Sequence, residues 1–174
     1  YNLGTIESIV SDFIRNNSMY GGGAIYNKGN IDSIIGDFIG NSCAISNSGN
    51  INSITADFVG NSGAISNSGT INSIAGDFIR NSDSGRGGAI SNSGTINSIT
   101  GDFVGNSLSL SHSFTNGGGA IYNSGTINSI AGDFVGNSSS LSSSYDGGAI
   151  SNYGLIESIV GSFVNNSSSS YGGG

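Results

Sequence analysis

Residues 118–138 read GGAIYNSGTINSIAGDFVGNS, and nearly the same letters return from one end of the chain to the other. Aligned on Phe13, Phe38, Phe58, Phe78, Phe103, Phe134 and Phe163, the copies lie 25, 20, 20, 25, 31 and 29 residues apart, so the smallest unit has 20 residues. Extra residues enter at one place, between the Asn-Ser that follows each Phe and the Ala-Ile that opens the next copy: 18–23, 82–88, 107–119 and 138–148. A repeat that lengthens at a single Gly- and Ser-rich point is a stack of like units with one corner in solvent.

Residue type decides what the units are. The recurring apolar residues are Ile, Val and Phe, which favour strands, and Gly interrupts each unit about every six residues, which helices do not tolerate. The quoted copy predicts three short strands, Ala120–Asn123, Thr126–Ile130 and Asp133–Ser138, with turns near Gly125, at Ala131–Gly132 and at the insertion corner. The expected fold is all-β: a parallel β-solenoid (β-helix) of about seven turns across residues 1–174, each letter stacked about 4.8 Å above its predecessor. One turn buries too few large side chains to offset the ordering entropy of its backbone, so the turns are stable only together. The expected ribs are the Ile25, Ile31, Ile34 and Phe38 columns. Asn27, Asn47, Asn67, Asn92, Asn123 and Asn152 form a further column, which fits either an axial amide ladder or a set of turn-forming residues.

Composition narrows the function. Eleven acids stand against Arg15, Lys28, Arg80 and Arg86, a net charge of −7, so no basic surface is available for phosphates and nucleic acid is not an expected partner. The single cysteine, Cys43, excludes an internal disulfide framework and a CxxC metal site. No run of 18 apolar residues occurs, so no transmembrane helix is expected. The chain opens on Tyr1 part-way through a repeat, as a processed or excised segment would.

The pairing of GGAI (Gly22–Ile25, Gly87–Ile90, Gly118–Ile121, Gly147–Ile150) with FxxN (Phe13–Asn16 through Phe163–Asn166) resembles the repeats of polymorphic outer-membrane proteins and autotransporter passengers. SCAI at 42–45 and SGAI at 62–65 extend the likeness over the whole chain. The resemblance implies a secreted or surface-displayed bacterial β-helix used for adhesion or as a scaffold. That family's export signal and C-terminal barrel have no counterpart in these residues.

Asp12, Asp37, Asp57, Asp77, Asp102 and Asp133 precede the phenylalanines, and Ser162 replaces the acid in the last copy. Carboxylates about 4.8 Å apart repel by about 3 kcal/mol at an effective dielectric near 20, and by under about 1 in bulk water, so something must offset the charge. Three readings are open: solvent-facing Asx-type caps on turn N–H groups, Ca²⁺ bridging successive carboxylates, and a catalytic acid pair. Six equivalent acids provide no asymmetry to separate an acid from a base, and the Gly-rich nonapeptide of calcium-binding solenoids is absent, so no cofactor is expected.

His112 reads as a solvated loop residue without a metal partner, and its loop fixes no Ser-His-Asp geometry. Ile14, Ile39, Val59, Ile79, Val104, Val135 and Val164 follow the phenylalanines. They form either an outward apolar stripe or, if the chain bends at Phe, part of the core. Thr70 and Asn72, repeated as Thr95 and Asn97 and as Thr126 and Asn128, suggest a flat array of the kind found on ice-binding solenoids, interrupted by Asn30, Asn50 and Leu155. The tail Ser170–Gly174 echoes Tyr20–Gly23, and Glu7 and Glu157 enter the column of Asn72 only in the outermost turns. The expected function is a non-enzymatic extracellular structural protein, stacking head to tail with copies of itself or forming part of an adhesin stalk. An adhesive module that uses the insertion loops on a surface or host ligand is the alternative. A polysaccharide-active enzyme would require a groove of clustered acids and bases that this repeat lacks.

Overall fold

The computed structural model describes residues 1–19, 21–83, 85–109, 116–140 and 146–169. His112 and the tail Ser170–Gly174 lie outside them. Every strand pair is parallel and joins one turn to the next, no helix occurs among the described residues, and the chain is a parallel β-solenoid of seven rungs. In the rung between Ile65 and Asp83 the strands are Ile65–Asn67, Thr70–Ala75, Phe78–Ile79 and Ser82–Asp83. The second and third belong to seven-stranded sheets, the first to a six-stranded sheet and the fourth to a four-stranded sheet.

Registration is letter over letter: Ile71 pairs with Ile51 and Ile96, and Phe78 with Phe58 and Phe103. Backbone bonds run between rungs even at the corners, as from Phe58 N to Asp77 O at 2.8 Å and from Ser62 N to Asn41 O at 2.8 Å. The core is therefore a set of continuous ribs. Ile31, Ile34, Ile45 and Phe38 have at most 1% of their surface exposed, and the Phe rings stack at 4.7–5.0 Å between centroids with planes within 7° from Phe13 to Phe163.

Two local features depart from the sequence reading. The expected third strand, Asp133–Ser138, is two strands, Phe134–Val135 and Ser138–Ser139. Between them Gly136 takes a left-handed φ of 64° and swings Asn137 into the interior. Ser82–Asp83, Ser107–Leu108, Ser138–Ser139 and Ser167–Ser168 pair as a fourth sheet at the insertion corner, so those rungs have four strands. The long strand is also not flat. Ile71 and Ile74 both point inward although three apart, which strand alternation forbids without a bend. The strand therefore bends between Ile71 and Ile74.

One glycine column is set by close approach. A Cβ on Gly69 would stand 2.1 Å from the carbonyl oxygen of Gly49 below it, and the same clash recurs at Gly49, Gly94 and Gly125. Rungs can sit this close at the corner only without side chains.

Candidate functional site

The interior polar columns hold the rungs together, and the exterior columns are what a partner would meet. Asn27, Asn47, Asn67, Asn92 and Asn123 are buried, and each Nδ2 donates to the Oδ1 of the next at 2.7–2.8 Å, ending on Asn152. Each Nδ2 also reaches the carbonyl two residues ahead, as from Asn67 to Gly69 O at 3.1 Å. The column is thus an amide ladder and a turn clasp at once. Asn2 extends it into the first rung, donating to Asn27 Oδ1 at 2.8 Å.

A second ladder carries the Asn of FxxN. Asn41, Asn61, Asn81, Asn106 and Asn137 are buried, and Asn61 is representative. Its backbone N–H and its Nδ2 both donate to Asn81 Oδ1 at 2.9 Å, and Nδ2 also donates to Phe38 O, one rung back, at 2.8 Å. Sequence reasoning identified this Asn as a motif letter and gave it no role. The available signal was its presence three residues after all seven aligned phenylalanines, where the acid fails once.

The acids stand in one exterior line. Oδ1 of Asp12 accepts the backbone N–H of Asp37 at 2.9 Å, and the pattern continues through Asp37, Asp57, Asp77 and Asp102 at 2.8–3.0 Å. The last bond runs from Ser162 N to Asp133 Oδ1 at 2.7 Å. The carboxylates cap N–H groups, but those of the next rung, not of their own turn. A charge-assisted bond of this kind contributes about 1.5–3 kcal/mol, comparable with the repulsion it must offset. Among the described residues no group of three or more His, Cys, Asp or Glu side chains converges as a metal-ligand set.

The stripe after the phenylalanines faces outward. Phe38 is fully buried while Ile39 is 38% exposed, and Ile14, Val104 and Val164 are exposed at 56%, 37% and 43%, with Val59, Ile79 and Val135 half-buried. Beside it, Gly40, Gly60, Gly105 and Gly136 take φ of 62–65°, and Arg15, Arg80 and Asn165 occupy the same place with φ of 52–56°.

Cys43, also left-handed at φ 47°, lines a shallow cleft of about 320 Å³ with Ser62, Ser66, Asp83, Arg86 and Ser91. Burial pushes its thiol pKa up; a backbone bond from Gly22 opposes that rise in part, and the Asp83 charge adds a smaller push upward. Arg86 lies over the Tyr122 ring, 5.0 Å from its centroid, and its guanidinium donates to the Tyr122 hydroxyl at 2.5 Å.

The rib ends are open. At the last rung Phe163 is 43% and Ile159 38% exposed, and with Ile150, Asn152 and Ile156 they line a cleft of about 530 Å³. At the first rung Ile6, Ile9 and Phe13 are only partly covered. Comparison with protein-family models, curated proteins and solved structures finds no match to this chain.

Proposed function

We propose that this chain is a non-enzymatic structural β-solenoid of the extracellular or bacterial surface, extending by further rungs stacked on its open ends. Those rungs are supplied by another copy, head to tail, as in a filament, or by more repeats in a longer adhesin stalk. The observation that carries this reading is the match between the two ends. Continued in register, the last rung sets Asn152 on Asn2, Ile156 on Ile6 and Phe163 on Phe13, so the Asn27, Ile31 and Phe38 columns run on, while the Ile25 column, which has no member in the first rung, skips one place. Uncovered parallel edges pair readily with whatever continues them.

Negative-stain electron microscopy and sedimentation of the 174-residue protein test the filament form. Fibres of rod width support it, and monodisperse rods about 29 Å long (six intervals of about 4.8 Å) at every concentration count against it. The adhesive alternative is favoured by the confinement of every insertion to one corner. Cutting the insertion 107–119 back to the length of the 20-residue unit separates the two. An adhesin loses its target and keeps its shape, whereas a filament subunit still polymerises.

A further inference from the structure

Along one outside face each run Asp-Phe-Ile/Val turns its Phe inward, so the acid and the β-branched residue both point out, side by side, in every rung from Asp12–Ile14 to Asp133–Val135. The apolar stripe from Ile14 to Val164 therefore has a flank of carboxylates. Its opposite flank is a ledge of left-handed glycines, and nothing lies within 4 Å of where a Cβ would sit at Gly60 and Gly136. Arg15 and Arg80 share that left-handed position, each laying its Cγ 3.6 Å from the Cβ position of the glycine one rung on, Gly40 and Gly105. An L-residue adopts this conformation only at a cost, and half of the chain's four cations are held in it. The face is thus an apolar line with negative charge along one edge and all its positive charge along the other.

The geometry points to this face as an interface with a second copy of the chain, the two rods side by side and pointing the same way about a two-fold axis parallel to the coil. That axis exchanges left and right while keeping rung height. Stripe then lies on stripe, and each acidic edge lies over the ledge of the other rod, where absent side chains leave room and Arg15 and Arg80 meet carboxylates. A two-fold across the rods would instead set acid column on acid column, which like-charge repulsion disfavours. A strip about 29 Å long and about 10 Å wide covers roughly 300 Å² per rod, well below the ~800 Å² per partner of a stable complex. Single rods should therefore pair weakly, and the contact should strengthen with any lengthening of the rod. It does not require end-to-end stacking.

Proximity cross-linking tests both the surface and the orientation. In a Cys43→Ser background, Asp77→Cys and Arg80→Cys proteins are prepared separately, mixed, and treated with a short bismaleimide. The expected main product is the mixed dimer, several-fold above either self-dimer and above a Ser124→Cys control on another face. Dominant Asp77→Cys self-dimers would overturn the parallel arrangement, and yields no higher than the control would overturn the surface. Adding Arg15→Gly to the Arg80→Cys protein and Ile39→Ser with Val104→Ser to both should lower the mixed product about tenfold. Far-ultraviolet circular dichroism checks that the coil persists. The Arg15→Gly change copies the residue of neighbouring rungs, so it can be read even if the Ser pair unfolds the chain; an undiminished yield with Arg15→Gly alone, or in the folded combination, would sink the pairing.

Discussion

Asn67 joins three rungs through one amide: it receives the Nδ2 of Asn47, donates to Asn92 and clasps Gly69. Asn67→Ala would leave Asn92 Oδ1 buried without its donor, while Asn47 Nδ2 keeps its bonds to the Gly49 and Thr70 carbonyls, so a loss of about 1–3 kcal/mol is expected in urea unfolding. A loss under about 0.5 kcal/mol would mean the ladder is bystander geometry. Cys43 yields a pH prediction. Burial holds the folded thiol pKa above that of the unfolded chain, so its contribution is present in full below the unfolded value and is lost as pH rises through the folded one. Stability should fall on the alkaline side in the wild type and fall less in Cys43→Gly, with iodoacetamide at neutral pH alkylating folded Cys43 more slowly than the unfolded chain. The dual role of Asn67 was half legible, because Asn before Ser-Gly satisfies a turn equally well and only the axial stacking distance reveals the ladder. The Asp caps were half legible for the same reason: their acceptor role followed from residue type, and their aim toward the next rung did not.

The strand scale shows where periodicity informs and where it misleads. Ile, Phe and recurring Gly sufficed for short parallel strands and for the ribs, since each rib repeats one apolar letter at a fixed place in the 20-residue unit. The run Phe-Val-Gly-Asn-Ser looked like one strand because nothing in its letters distinguishes a glycine passing through a strand from one turning left-handed. Gly136 turns, and a fourth strand forms beyond it, although Gly40 and Gly60 turn in the same way in rungs that have none. The six-residue strand deceived in the opposite sense: Ile71 and Ile74 obey a period of three, visible in the sequence, which already indicated a bend. The phenylalanine stack is the most continuous element. Phe78→Ala removes a ring held between Phe58 and Phe103 at 4.9 and 4.7 Å, and a loss of about 3–5 kcal/mol is expected by denaturant unfolding. Phe78→Leu should cost less, since it refills part of the cavity.

For the whole molecule the smallest unit should be removable. Deleting residues 44–63, one full 20-residue rung, brings each column back into register, so the shortened chain should still unfold cooperatively with a modestly lower midpoint. Loss of cooperative unfolding would contradict rung-by-rung cohesion. Stacking of copies makes a separate prediction. Glu7 and Glu157 occupy, in the outermost rungs, the column held by Asn52, Asn72, Asn97 and Asn128 inside, and in-register stacking sets them about 4.8 Å apart, with Asp32 next above Glu7. Glu7→Gln with Glu157→Gln should raise fibre yield several-fold at neutral pH and low salt, read by sedimentation; equal yields would show that these acids do not restrain growth.

Both buried asparagine ladders present nitrogen toward the later rung and oxygen toward the earlier one, without a reversal from Asn2 to Asn152 or from Asn16 to Asn166. The rod is therefore vectorial, with a proton-accepting pole and a proton-donating pole. A fibre of such rods would have distinguishable plus and minus tips, elongating at unequal speeds, and a seed inserted backwards would face acceptors with acceptors and stall.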